Sequence, residues 1–184
     1  MKNIRIAFDF DKVFVDYPPL IPSALINYLY KKRNHNLSYR IPGPIEKRIR
    51  IFSHTHFLRH PIKENIHILS EMFDSNKYLI FLISSRFSFL RGRTEEWDKR
   101  HKISRFFKEM YFNFKDEQPH LFKDRIIKEG KIEKFIDDDL DLLFYLAERN
   151  PNVDFYWLGN FKPNKPLPKN IMQIKTLSEI KKYV

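Results

Sequence analysis

Asp9 and Asp11 stand two residues apart near the start of the chain, and Asp137, Asp138 and Asp139 stand in a row far downstream. Both stretches follow short apolar runs, in a protein of 184 residues whose formal net charge is +11. Adjacent carboxylates repel, so each group needs a positive counterpart. Carboxylates gathered from two stretches that lack His and Cys make a hard oxygen site. Magnesium suits such a site, because it binds few carboxylates and keeps several waters. A partly hydrated magnesium ion takes substrate phosphate as a further ligand. Ser84, with Ser85 as its alternative, offers a hydroxyl donor for phosphoryl oxygens, and Lys123 offers a point charge. One aspartate could then attack phosphorus as a covalent nucleophile. A second, two residues on, could protonate the leaving oxygen and afterwards activate water.

These residues can meet only if the chain brings them to one rim. Residues 4–10, 77–84, 110–114, 131–136 and 153–158 read as strands, from apolar runs rich in β-formers. The run at 77–84 is apolar throughout, as in a strand buried on both faces. Helical patterns cover residues 23–33, 63–73, 94–110, 120–130 and 141–150, and residues 46–61 are ambiguous but more helical than extended. Residues 160–170, with three prolines, read as an extended loop. Thr176 and Glu179 have capping-box spacing and open a short C-terminal helix. Alternating strands and helices predict an α/β fold with a central parallel sheet flanked by helices. Ligands of such sheets bind at the carboxyl ends of the strands. Asp9 and Asp11 end the first strand, Ser84 and Ser85 the second, and Asp137 and Asp138 the fourth. Lys123 lies near the start of the helix that feeds the fourth. Asp139 and Asp141 read instead as helix-start acids, favoured by the helix dipole.

In this order and context the residues resemble the haloacid dehalogenase (HAD) superfamily, with the phosphatase and 5'-nucleotidase-like branch the nearest in character. "IAFDFDKVFVD" matches its Asp-x-Asp motif after an apolar strand, and "LIFLISS" its strand ending in Ser or Thr. Lys123 fits its lysine, ahead of Lys115 and Lys128, and "KFIDDD" matches its terminal acidic pair. The resemblance covers nearly the whole chain and implies a HAD-like Rossmannoid fold. It implies Asp9 as nucleophile and magnesium ligand, and Asp11 as general acid and base whose backbone carbonyl reaches the metal. It implies Ser84 and Lys123 as phosphoryl holders, and Asp137 and Asp138 as magnesium ligands. One departure stands beside the site: Lys12 occupies a position where the family commonly has Gly.

The first and second strands are separated by about fifty residues more than a crossover helix requires. The resemblance implies a small helical cap there, at residues 17–67, with the core domain formed by residues 1–16 and 68–184. Between Lys31 and Lys63 there are nine Lys or Arg and one acid, Glu46, so this stretch carries eight of the eleven net positive charges. A focused basic region points to an anionic partner. Tyr17, Tyr39, Phe52 and Phe57 could stack on a ring. Five of the seven histidines lie within residues 17–67, but their spacing fits no zinc ligand set.

The leading expectation is a magnesium-dependent phosphatase acting on a small phosphorylated substrate, a nucleotide or sugar phosphate. The alternatives are a phosphatase for nucleic-acid ends and a catalytically idle HAD-like module that binds RNA or protein. A receiver domain would place its phosphorylated Asp after the third strand, where "FNFKDE" offers only Asp116. The absence of cysteine excludes disulfides and thiolate chemistry. No stretch reads as a signal peptide or membrane span, so a cytoplasmic protein is expected.

Overall fold

In the computed structural model, which describes residues 3–17, 37 and 42–183, the sheet is built outward from the strand that carries the first acidic pair. β1 (Ile4–Phe8) pairs in parallel with β2 (Tyr78–Ser84) on one side and β4 (Lys134–Asp137) on the other. β3 (Glu109–Phe112) extends the sheet beyond β2, while β5 (Asp154–Leu158) and β6 (Ile171–Ile174) extend it beyond β4. All neighbours run parallel, in the order β3-β2-β1-β4-β5-β6. The chain moves from β1 to β2 and β3, then returns across β1 to start the other half at β4. The strand order therefore reverses at β1, and the crevice outside its carboxyl end is where such sheets take ligands.

Each face of the sheet has its own core, and alternation along β1 divides them. Ile6 and Phe8 point into one, with Ile68, Leu69 and Met72 of α2 (Lys63–Asp74) and Trp97 of α3 (Arg91–His101). Ala7 points into the other, with Phe122 and Ile126 of α4 (Pro119–Glu129) and Leu143 and Leu146 of α5 (Leu140–Arg149). Ile6, Ala7 and Phe8 are all fully buried, which explains why β1 reads as an apolar run.

Part of the stretch expected as a cap, including the helix expected at 23–33 and Tyr39, lies outside the described residues. Its described part contains α1 (Pro44–Ser53), which begins with a proline and whose Gly43 N–H donates to Glu46 Oε2 at 3.0 Å. The segment after α1 is stitched to the core. Asp16 N–H donates to His60 O at 2.8 Å, Ile62 N–H to Phe14 O at 2.9 Å, and Trp97 Nε1–H to Arg59 O at 2.9 Å.

Several boundaries differ from the sequence reading. The helical pattern at 94–110 spans two elements: α3 stops at His101, because Lys102 adopts a left-handed conformation (φ 53°), and a 3-10 turn at Ile103–Phe106 follows. No Gly or Pro marks this stop, so the pattern ran through it. β3 ends at Phe112, since the Asn113 side chain bonds both backbone groups of Glu117 and closes a turn. β4 starts at Lys134, after the left-handed Lys131 (φ 48°). β6 was missed, being four residues long with two half-buried positions, Met172 and Gln173. The C-terminal element is a 3-10 helix, Leu177–Lys182. Among the described residues no helix is long and apolar enough to cross a membrane.

The left-handed Lys102 costs roughly 1 kcal/mol that a glycine would not incur. Lys102→Gly should therefore stabilise the protein by up to about 1 kcal/mol, seen as a higher urea midpoint at unchanged slope. A lower midpoint would show that the lysine side chain matters more than the backbone it strains.

Candidate active site

Asp9 leaves β1 with its N–H donating to Ile136 O of β4 at 2.9 Å, which fixes the two strand ends side by side. Asp137 is the last residue of β4, and Asp138 follows it. Carboxylate oxygens of Asp9, Asp137 and Asp138 lie within 4.8 Å of one another. Lys123, the fifth residue of α4, places Nζ 2.6 Å from Asp9 Oδ1 and 2.6 Å from Asp137 Oδ2. Lys115 is exposed, and Lys128 pairs with Asp124 at 2.7 Å, so neither stands in the site. Ser84 ends β2 and is buried, with its Oγ accepting the Arg86 N–H at 3.4 Å. Ser85 lines the same pocket, and its buried Oγ has no hydrogen-bond partner among the described residues. That hydroxyl is a donor with nothing yet to donate to.

The acidic run divides. Asp139 caps α5, its Oδ1 accepting the Leu142 N–H at 3.4 Å, while its own N–H donates to Asp137 Oδ1 at 3.0 Å. Asp116 is also accounted for, since its carboxylate accepts the N–H and hydroxyl of Ser88 at 2.7 Å each. Lys12 keeps the left-handed conformation (φ 60°) that explains why glycine is common at this position in the resembled family. Its Nζ lies 3.0 Å from Asp138 Oδ2.

The charges explain the pKa directions. Burial, opposed by Lys123 and reinforced by Asp137 and Asp11, raises Asp9 well above the usual carboxylate range. Burial and the neighbouring Asp137 and Asp139 outweigh Lys12 and push Asp138 up to about 7. Burial would lower Lys123, but Asp137 and Asp9 more than offset it and hold it as a cation. Two lysines thus face three clustered carboxylates, and Asp9 and Asp138 still resist ionisation. This donor set fits a hard divalent cation, which would favour the ionised form of each acid. Asp9, Asp137 and Asp138 would hold it.

Asp11 was expected to act as acid and base, with its backbone carbonyl rather than its carboxylate reaching the metal. Its carboxylate is not part of the acid cluster but sits in a clamp. Arg86 Nε donates to Oδ2 at 2.9 Å and Arg86 Nη2 to Oδ1 at 2.7 Å, with Arg59 Nη1 3.5 Å from Oδ1. Burial would raise Asp11, but these cations, Arg86 foremost, overcome it and hold the carboxyl well below its ordinary value. His54 completes the group, with Nε2 3.1 Å from Arg59 Nη2. The sequence reading missed Arg59, Arg86 and His54. The one available signal was Arg86, two residues past Ser84 in the same strand-end loop.

No family model matches this sequence, and neither does any curated protein. Solved structures do match the fold. A dehalogenase with an intermediate complex aligns with a TM-score of 0.68 at 11% identity, covering 99% of this chain and 97% of that one. YfnB of Bacillus subtilis, described as a HAD hydrolase and bound to magnesium, aligns at 0.63 and 14% identity, covering 100% and 99%. The Pnkp1/Rnl/Hen1 RNA repair complex aligns at 0.54 and 16% identity, covering 86% of this chain and 44% of that one. Likeness at such low identity shows the fold, which is the α/β fold of HAD-type hydrolases.

The raised Asp138 sets a pH dependence. Folded, it keeps its proton to about pH 7, whereas its ordinary value is 3.8. Its contribution to stability is therefore full below the lower value and lost as pH rises through the higher one. A divalent cation favours the ionised form, so magnesium should raise the melting temperature more at about pH 8 than at about pH 5.5. Asp138→Asn should shrink that difference. Equal shifts at both pH values in the wild type would contradict the site.

Proposed function

We propose that this chain, built on the HAD-type fold, is a magnesium-dependent phosphatase that hydrolyses a small phosphate monoester, a nucleotide or sugar phosphate. The observation that carries this reading is Lys123 bridging Asp9 and Asp137 at 2.6 Å each, beside the unpartnered Ser85 hydroxyl. A lysine in this position both holds Asp9 in place and offers its remaining donor to a phosphoryl oxygen. Ser84 and Ser85 approach from the neighbouring strand end. A bound magnesium ion would neutralise phosphoryl charge and screen the clustered carboxylates from one another.

In this reading an Asp9 carboxylate oxygen attacks phosphorus, and the bond from phosphorus to the ester oxygen breaks. The leaving oxygen takes a proton from Asp11, giving the alcohol and an aspartyl-phosphate on Asp9. Water then attacks phosphorus and gives a proton back to Asp11, releasing inorganic phosphate and restoring Asp9. Lys123 faces the developing charge in both halves, and such preorganised electrostatics is usually the largest catalytic contribution. In the clamped arrangement Asp11 is ionised and suited to the second half, as the base; to act as the acid of the first half it must leave Arg86 and take up a proton. We assign residues 17–67 the role of a cap that shapes the substrate's binding space.

A second reading, hydrolysis at a nucleic-acid end, is favoured by the exposed Phe52 and Phe57 within the basic stretch. Its mark would be steep salt dependence. The idle-module reading is disfavoured by a complete Asp9, Lys123 and Asp137 constellation.

The test is a screen of phosphate esters with and without magnesium, using wild type, Asp9→Asn and Lys123→Met. Wild type should be active only with the metal, and Asp9→Asn inactive. Lys123→Met should lose about 10²–10³ in kcat. Equal activity of wild type and Asp9→Asn would overturn Asp9 as nucleophile.

A further inference from the structure

Two guanidinium groups share one carboxylate in the wall of the pocket. Arg59 is 2% exposed and Arg86 5%, and among the described residues Asp11 is the only carboxylate paired with either. The exposure is uneven across the pair. The Asp11 side chain is 27% exposed and those of the arginines 3%, so the carboxylate stands toward the open pocket and the cations behind it. Asp11 and Arg86 line the same pocket as Asp9, Lys123 and Ser85.

The arginines are held by contacts that do not involve Asp11. Arg86 donates from Nη1 to Thr94 Oγ1 at 3.1 Å and lies over the Phe10 ring, 4.3 Å from its centroid. Thr94 in turn donates to Leu90 O at 3.0 Å. Arg59 donates to Ser53 O and Asp16 O, each at 3.4 Å, and to His54 Nε2 at 3.1 Å. The tautomer of His54 follows from its partners. Its Nδ1 lies 2.7 Å from Arg50 O, and a carbonyl only accepts, so Nδ1 carries the proton. Nε2 is then free to accept from Arg59, and the ring orients that guanidinium without adding charge. These contacts orient the two cations without Asp11, while their buried charge still calls for an anion in its place. The fork that Arg86 presents to Asp11 is the one that takes any carboxylate or phosphate through two parallel bonds.

From this arrangement we infer that Arg86, supported by Arg59, is a seat for a second anionic group of the substrate, and that Asp11 occupies it when no substrate is bound. The inference rests on the reading that Asp9 and Lys123 take the phosphoryl group, and it narrows the substrate class. The substrate is a phosphate ester that carries a carboxylate or a second phosphate. Its second anion replaces the Asp11 carboxylate on Arg86, and Asp11 is freed toward the ester oxygen. A monoester without that anion leaves the clamp closed.

The test uses a matched pair, 3-phosphoglycerate and glycerol 3-phosphate, which differ by a carboxylate in place of a hydroxymethyl group. Binding of each to Asp9→Asn protein with magnesium is measured by calorimetry, so turnover does not interfere. The carboxylate-bearing ester should bind about tenfold tighter, the scale of one charge-assisted bond. Arg86→Lys in the same background should reduce that preference to about threefold or less, since an ammonium lacks the fork. Asp11→Asn should strengthen binding of 3-phosphoglycerate, because the competing carboxylate is gone. A purely structural clamp would make both substitutions weaken it. Equal affinity for the two esters, or weaker binding in Asp11→Asn, overturns the seat. Wild-type turnover is read separately: a tenfold binding preference without hydrolysis of either ester supports the seat and counts against the phosphatase reading alone.

Discussion

Lys123 reaches between Asp9 and Asp137, so the two carboxylates that β1 and β4 deliver side by side have a cation between them. The two strands are neighbours at the point where the sheet reverses its order, and each delivers a buried carboxylate to the same few ångströms. Removing one partner from a buried ion pair costs about 3–5 kcal/mol, since the other charge is left alone. The lysine is itself fixed by α4, whose apolar residues Phe122, Ile126 and Ile127 pack against the sheet. Packing on that face thus places the charge that stands between the two carboxylates. The repulsion that remains, visible in the raised Asp9 and Asp138, is what a divalent cation would relieve.

Much of this rim was legible in the sequence because it depends on strand ends. A buried strand announces itself as an apolar run, and the first polar residue after it must lie at the rim. That logic located Asp9, Ser84 and Asp137, and the helix preceding β4 located Lys123. The elements lost were those without a local signal. α3 stops at a left-handed lysine rather than a glycine, and β6 is four residues at the sheet's edge.

Asp11 marks the boundary of sequence reasoning more sharply. The spacing that puts it two residues after Asp9 says nothing of which charges surround it. Arg59 and Arg86 come from segments separated by more than 40 residues from Asp11, and only the folded chain brings them to one carboxylate. The arginines also connect the basic stretch to the core, because Arg59 belongs to the first and Arg86 to the loop after β2. The basic stretch thus contributes one buried guanidinium, Arg59, beside a second from the loop after β2, Arg86.

The central claim is that Asp9 is placed to receive a phosphoryl group between Lys123 and the acid cluster. Acid-quenched turnover followed by peptide mass spectrometry measures it most directly. The account predicts a phosphoryl group on the peptide that contains Asp9, present with magnesium and absent from Asp9→Asn. Turnover with no phosphorylated Asp9 peptide, or with the phosphoryl group on another residue, would contradict it.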